Sequence, residues 1–312
     1  MKRWNLACLL LLAAAILAAC GKSDSATLYQ LRLKQGDSHR ILMTMDQQIE
    51  QSVLGETQKT SSLSRLELSY TVTAVDSDGT MHVDAVYEKI ALDMKGPTGN
   101  VKYDSADPSV NESAEQVSAM YDKMLGQKIA LEFAPTGEIK SAAGLDALVS
   151  AIVDEMPEGP MREQFRQMLG DMFEQSMTGN SGNLAFYPAT PVKVGDTWPQ
   201  TTTMSSSLFK VVLDTTYTLK ERKDGISTID SVAVGTFEPG DSGEMMGMQM
   251  DIDLKGGQTG TLSVDEATGW TVRSQIKQDF AGAIEVSSPD NEDMHLSIPM
   301  TMTMQITTEP AQ

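Results

Sequence analysis

The sequence is poor in cysteine and histidine, which limits the chemistry that it can carry. Of its two cysteines, Cys8 lies in an apolar N-terminal run that we expect to be removed, so only Cys20 remains and no internal disulfide can form. The three histidines, His39, His82 and His295, are far apart and show none of the close spacings typical of zinc sites. Cysteine-based metal sites and thiol catalysis are therefore excluded.

Recognised catalytic motifs are also missing. The sequence has no GxSxG elbow, no SxxK motif and no glycine-rich phosphate loop. We therefore predict a protein that is not an enzyme, with no catalytic residue and no cofactor. Positive charge is scarce too, because 43 acidic residues outnumber 24 basic ones and the formal net charge is -19. Nucleic acid is not an expected partner, since binding to it requires basic patches.

The N-terminus has the layout of a secretory signal. Lys2 and Arg3 precede an apolar run at 6–19 that is rich in Leu and Ala and ends in small residues just before Cys20. This run is shorter than the ~20 apolar residues that span a bilayer. The residues at 17–20, Leu-Ala-Ala-Cys, resemble the lipobox of bacterial lipoproteins.

That resemblance implies cleavage between Ala19 and Cys20, followed by attachment of fatty acids such as palmitate to Cys20. One acyl chain anchors a protein only marginally, whereas several hold it firmly. We expect residues 1–19 to be a signal peptide and 20–27 to be the lipidated cysteine with a short tether. Through this lipid the protein would be anchored to a membrane of the cell envelope, with its domain in the periplasm. Gly21 stands where the inner-membrane retention signal of Gram-negative lipoproteins has Asp, so the resemblance favours the outer membrane if the host is Gram-negative. In a Gram-positive host the choice between two membranes does not arise.

The rest of the chain, 28–312, is predicted to be a single β-rich domain. Apolar and polar residues alternate from 28 to about 94 and again from 184 to 308, which is typical of antiparallel strands with one wet face. Between these regions, apolar residues recur every three or four positions. This pattern predicts an amphipathic helical insertion at 112–178, with helices at 113–125, 145–156 and 161–173. The predicted fold class is mainly β (α+β), an antiparallel, curved sheet or half-barrel.

The second β region is expected to form several short strands. They are predicted at 201–204, 208–213, 215–219, 226–232, 260–264, 270–276, 283–286 and 298–306. In the first region, the turn at 76–79, Asp-Ser-Asp-Gly, predicts a hairpin.

Short motifs of the first region recur in the same order in the second. The pairs are Gly36-Asp37 with Gly195-Asp196, Thr44-Met45 with Thr203-Met204, Tyr70-Thr71 with Tyr217-Thr218, Asp78-Gly79 with Asp224-Gly225, and Pro135-Thr136-Gly137 with Ala267-Thr268-Gly269. This order favours duplicated halves, with repeats at 28–140 and 184–308. Chance recurrence of common turn dipeptides is the alternative interpretation.

Methionine is abundant, with 21 residues. Two groups stand out as candidate contact residues for a ligand or a metal, a tight cluster and an alternating set that should point to one face of a strand: Met245, Met246, Met248 and Met250, and Met300, Met302 and Met304. Methionine can fill a core, can line a surface that adapts to apolar ligands, or can bind Cu(I) through its soft thioether. The sequence leaves all three roles open.

Three segments carry a resemblance to a known group of proteins. With the lipobox, the segments at 34–37 (Lys-Gln-Gly-Asp), 133–137 (Phe-Ala-Pro-Thr-Gly) and 191–198 (Pro-Val-Lys-Val-Gly-Asp-Thr-Trp) make this sequence resemble bacterial lipoproteins known only as a domain of unknown function. The resemblance brings no known active site. Sheets with amphipathic helices are also similar to half-barrel lipoprotein carriers, in which helices close an apolar concavity.

These patterns favour a membrane-anchored envelope lipoprotein that is not catalytic and binds an apolar ligand or lipid. Two alternatives remain open at this point. One is a copper-handling lipoprotein that uses the methionine cluster. The other is a structural or partner-binding envelope protein whose protein partner the sequence does not identify.

Overall fold

The computed structural model describes residues 25–97, 99–113, 115–154, 158–178, 186–205, 209–239, 244–245, 248–288 and 291–311. The signal peptide, the lipobox with Cys20, and Met246 lie outside these residues, so the expectations attached to them stay predictions. Within the described ranges, no helix is both long and apolar enough to cross a membrane.

The described residues form one open, curved antiparallel sheet of thirteen strands, which confirms the predicted fold class. The strands of its first half are β1 (Ser38–Val53), β2 (Glu56–Val75), β3 (Met81–Gly96), β4 (Gly99–Asp104), β5 (Lys128–Phe133) and β6 (Ile139–Ala143). Those of its second half are β7 (Thr197–Ser205), β8 (Phe209–Lys223), β9 (Ile226–Pro239), β10 (Glu244–Met245), β11 (Met248–Asp265), β12 (Thr271–Ser288) and β13 (Asn291–Pro310).

The strand order shows two meanders joined at the centre of the sheet. The order is β6-β5-β3-β2-β1-β13-β12-β11-β9-β8-β7, with β4 paired to β3 and β10 paired to β11. The join is the pairing of β1 with β13, which runs from Ile41 opposite Pro310 to Gln51 opposite Met300. Among the described strands, the first meander contributes five and the second six to this order, and both follow the chain in the same direction across the sheet. This order fits the predicted duplication, which stays a prediction.

Several predicted strands are parts of longer ones. The strands predicted at 208–213 and 215–219 form the single strand β8, since Asp214 between them continues the alternation on the other face. Those predicted at 270–276 and 283–286 likewise belong to the single strand β12, which begins one residue later, at Thr271. Polar residues and glycine inside a strand were therefore mistaken for strand ends.

The helical insertion predicted at 112–178 is wrong as one continuous unit, because the hairpin β5–β6 interrupts it. The helices are α1 (Glu115–Met124), α2 (Leu145–Val153) and α3 (Pro160–Thr178), with a 3₁₀ turn at Pro108–Ser113. In β5, Ile129, Leu131 and Phe133 alternate with polar or small residues and are buried. Alternation with a period of two is a strand pattern, and the segment accordingly pairs with β3 and not with the helices.

The segment at 28–34, where the β pattern was expected to begin, forms no strand. Tyr29, Leu31 and Leu33 are nonetheless buried, because the segment crosses the turns at one end of the sheet. The Leu31 amide donates to the Pro135 carbonyl (2.8 Å), and the Arg32 amide donates to the Thr268 carbonyl (2.7 Å). This segment therefore connects the β5–β6 turn of the first half to the β11–β12 turn of the second.

The two Gly-Asp segments have the same hydrogen bonds. The Asp37 carboxylate accepts from the Lys34 amide (2.8 Å), and the Asp196 carboxylate accepts from the Lys193 amide (3.0 Å). Both glycines have a positive φ, 91° at Gly36 and 92° at Gly195, which is unfavourable for other residues. These aspartates therefore act in turns that introduce β1 and β7.

The core is divided into clusters. The largest lies between strands β1–β5 and the helices, and its helical members include Leu148, Val149, Val153, Leu169 and Phe173. A second cluster packs Trp198, Tyr217 and neighbouring residues of β7–β11 against Tyr29 and Tyr187. A third joins β8, β9, β12 and β13 around Phe280. The helices therefore cover the first half of the sheet.

Candidate functional site: an uncharged face of the sheet

One face of the central strands carries no charged side chain over the described positions 40–53, 248–264, 272–287 and 295–310. Residues directly opposite in antiparallel strands share a face, so the strand register assigns each residue to one side. Over 40–53, 248–264, 272–287 and 295–310, every lysine, arginine, aspartate and glutamate lies on the side opposite to Met302. They are Arg40, Asp46, Glu50, Asp251, Asp253, Lys255, Arg273, Lys277, Asp279, Glu285 and Glu309. We call the side that bears Met302 the uncharged face.

The uncharged face is strongly curved around Phe280. This side chain is 6% exposed and packs with Val211 and Leu213 of β8, although β9 and β11 lie between the two strands. The intervening strands carry Gly235 and Gly256 at this level. A Cβ atom added at Gly235 would lie 2.5 Å from the Phe280 ring, and one at Gly256 would lie 2.0 Å from the Asp279 carbonyl oxygen. Glycine therefore permits both the ring contact and the bend.

Beyond Phe280, toward the β12–β13 turn, the uncharged face continues as an apolar patch. Its members are half-buried side chains of three neighbouring strands: Met250, Ile284, Val286, Leu296, Ile298 and Met300. The hydrophobic cluster around Phe280 contains strand residues only, whereas the described helical residues pack in the cluster over the first half. The apolar patch thus lies on the part of the sheet where the described helices do not pack.

A row of amides crosses the uncharged face between the buried core and the apolar patch. Gln258, Gln278, Met304 and Gln47 stand opposite one another on β11, β12, β13 and β1. Gln278 Nε2 donates to Gln258 Oε1 (2.9 Å), and Gln47 Nε2 donates to Met302 Sδ (3.4 Å). We call Gln47, Gln258 and Gln278 the glutamine row. They are half-buried hydrogen-bonding groups that carry no charge.

The structure separates the two predicted methionine groups along the uncharged face. Met300, Met302 and Met304 share this face as the alternation predicted, and Met302 packs against the Phe280 cluster. Met250 lies level with Val286 and Leu296, four residues along β13 from Met300. Met248 pairs with Met245 in the β10–β11 hairpin. A role for any of these methionines in binding a ligand or copper stays a prediction.

The histidines have individual structural partners. His39 stacks on Trp270 with ring centroids 4.5 Å apart, and desolvation lowers its pKa despite the nearby Asp37 and Asp265. The His82 ring hydrogen-bonds Asp76 (2.9 Å), which raises the pKa of His82. His295 lies 3.6 Å from Glu285. No group of three or more His, Cys, Asp or Glu side chains in the described part of the chain could hold a metal ion.

The sequence did not single out the glutamine row. A signal for it exists, because Gln47 has the same parity along β1 as Met43, Met45 and Ile49. The glycines at 256, 257 and 260 are a second missed signal, since glycine inside a strand often marks a bend or a close approach. Neither signal shows which strand lies beside which.

Comparisons with known proteins support a family of unknown function. The profile of that family, DUF6263, matches residues 78–271, which is more than half of the chain. No curated protein matches the sequence. The expected membership of an uncharacterised domain family is therefore confirmed, whereas lipid attachment stays a prediction.

Solved structures show only weak likeness. A structure described as lipid-protein interactions in lipovitellin is 7% identical, with a TM-score of 0.48, and the match covers 89% of this chain and 25% of that one. The chain thus spans about a quarter of that protein. DynF from the dynemicin biosynthesis pathway of Micromonospora chersina is 5% identical (TM-score 0.22; 93% and 87% covered). The outer membrane protein OprG from Pseudomonas aeruginosa is 7% identical (TM-score 0.23; 89% and 99% covered). Likeness at these scores supports no argument about function.

Proposed function

The chain belongs to a family of unknown function, DUF6263, and we propose that it is a non-catalytic envelope lipoprotein that binds the acyl part of a lipid on its uncharged face. The observation that carries this proposal is the separation of charge. The chain is strongly acidic, yet over 40–53, 248–264, 272–287 and 295–310 the central strands hold every charged side chain on one side and present apolar and amide groups on the other.

The energetics of the apolar patch support binding of an acyl chain. Each methylene removed from water contributes ~0.8 kcal/mol. Half-buried isoleucine, valine and methionine side chains on three adjacent strands offer a continuous surface for such contacts. Methionine adds adaptability, because its unbranched side chain fits ligands of varied shape.

The predicted lipid on Cys20 places the domain beside a membrane, where acyl chains are available. The acidic surface on the other side of the sheet opposes lying flat on an anionic bilayer. A tethered domain that binds single lipids is consistent with both properties.

Native mass spectrometry of the full-length protein, extracted in mild detergent that is removed in the gas phase, tests the proposal. We expect a lipid adduct in addition to the covalent modification. Met300→Asp should reduce this adduct at least tenfold, because it places a charge in the apolar patch. Thr301→Asp is the matched control, since the neighbouring residue lies on the other face and is exposed. Absence of any non-covalent lipid, or equal loss in both variants, would refute the proposal.

A further inference from the structure

The glutamine row indicates which lipid head group the site accepts, and this inference rests on the proposed function. We infer that the uncharged face binds a single-chain lipid with an uncharged, hydrogen-bonding head, such as a monoacylglycerol ester. The amides of Gln47, Gln258 and Gln278 contact the head, and the acyl chain runs over Met302 to the near edge of the apolar patch at Met300.

The hydrogen bonds of the row leave room for a ligand. A glutamine amide offers two N–H donors and an oxygen with two lone pairs. Gln278 uses one donor on Gln258, and Gln47 uses one donor on the Met302 thioether, which is a weak acceptor. An ester or hydroxyl oxygen is a stronger acceptor than a thioether. A neutral head group can therefore gain hydrogen bonds here without displacing a strong one.

The absence of charge excludes a head group that is ionised. A carboxylate or phosphate that binds at the row would lose its hydrating water and would meet no cationic side chain on the uncharged face. Burying such an unpaired charge is costly. The nearby cations Lys277 and Lys255 lie on the opposite side of the sheet. An uncharged ester or alcohol does not incur this cost.

The dimensions also fit one acyl chain. From Met304, level with the row, to Leu296 at the far side of the apolar patch are eight residues of β13, or about 27 Å at the rise of an antiparallel strand. An acyl chain in one leaflet extends ~15 Å, half the thickness of the bilayer core. At this rise ~15 Å corresponds to four or five residues, so a chain with its head at the row crosses Phe280 and Met302 and reaches the near edge of the apolar patch at Met300.

The test compares monoolein with oleate, which have the same acyl chain and different heads, by native mass spectrometry of the full-length protein at pH 8. High salt in the binding step screens the long-range repulsion of oleate by the acidic protein. We expect monoolein to bind about tenfold more tightly. The double variant Gln47→Leu/Gln278→Leu should reduce this preference to less than about twofold while oleate still binds, because it removes the hydrogen bonds and keeps the apolar surface.

Two controls locate the effect. Gln48→Leu changes an adjacent residue on the other face and should keep the full preference. Gln51 and Gln58 form a second amide pair on the uncharged face, with Gln51 Nε2 donating to Gln58 Oε1 (3.3 Å). If Gln51→Leu removed the preference and the double variant did not, the inference about the row would be wrong. Equal binding of monoolein and oleate would overturn the head-group inference alone, whereas failure of both to bind would refute the proposed function.

Discussion

Replacing Gly256 by alanine should destabilise the protein, because the backbone leaves no space for a methyl group. The added Cβ would lie 2.0 Å from the Asp279 carbonyl oxygen and 2.8 Å from the Phe280 Cα atom. These are backbone atoms of the neighbouring strand β12, so no change of rotamer relieves the contact. The strands β11 and β12 must move apart at the position where the sheet bends.

The expected cost is about 2–4 kcal/mol, which combines overpacking with one or two weakened ladder hydrogen bonds. Gly170→Ala is the control. This glycine lies within α3, where an added Cβ meets nothing within 4 Å. Alanine is the better helix former, so this substitution should stabilise the protein by about 0.5–1 kcal/mol.

Urea unfolding of both full-length variants, followed by circular dichroism in the same mild detergent, measures the difference. The two midpoints should move in opposite directions from that of the wild type. If Gly256→Ala lowered the free energy of unfolding by less than about 0.5 kcal/mol, the bend would not depend on this glycine. Comparing midpoints at equal slope avoids the error of extrapolation to zero urea. The same variant should bind less lipid, since the ring of Phe280 can no longer cross to Leu213.

Four further predictions follow from other parts of the chain. Cys20→Ala should abolish incorporation of radiolabelled palmitate and the lipid anchor, and equal labelling of the variant would contradict the lipobox interpretation. Since the folded-state pKa of His39 is lowered, its stabilising contribution is present above the unfolded pKa of about 6.5 and is lost as the pH falls toward the folded value, so His39→Gln should flatten the acidic side of the stability profile. For His82 the sign is reversed: its raised pKa gives stability below about pH 6.5 that is lost as the pH rises through the folded value, and His82→Gln should remove this term. Gly269→Ala places a Cβ 2.1 Å from the Gln30 carbonyl oxygen at a φ of 71° and should increase proteolysis of the segment at 28–34; unchanged cleavage would show that this contact is not needed.

Alternation along the sequence determined much of this fold. It predicted an antiparallel sheet, and it fixed which residues of a strand share a face, as for Met300, Met302 and Met304. The three-to-four spacing likewise predicted the three helices of the described residues to within a few positions, because a helix needs one apolar stripe. These features depend on near neighbours in the chain, so local sequence is sufficient for them.

The identity of neighbouring strands depended on the tertiary structure. Gln47 of β1 contacts Met302 of β13 across most of the length of the chain, and no local pattern specifies that pairing. A shift of one residue in this register would move the methionines to the charged side, so long-range packing must select it. The segment at 28–34 likewise alternates as a strand does, but its amides pair with turns from both halves of the chain. Sequence determined the two faces of each strand, and only tertiary structure assembled them into one uncharged face, because pairing between distant strands is decided by the whole core.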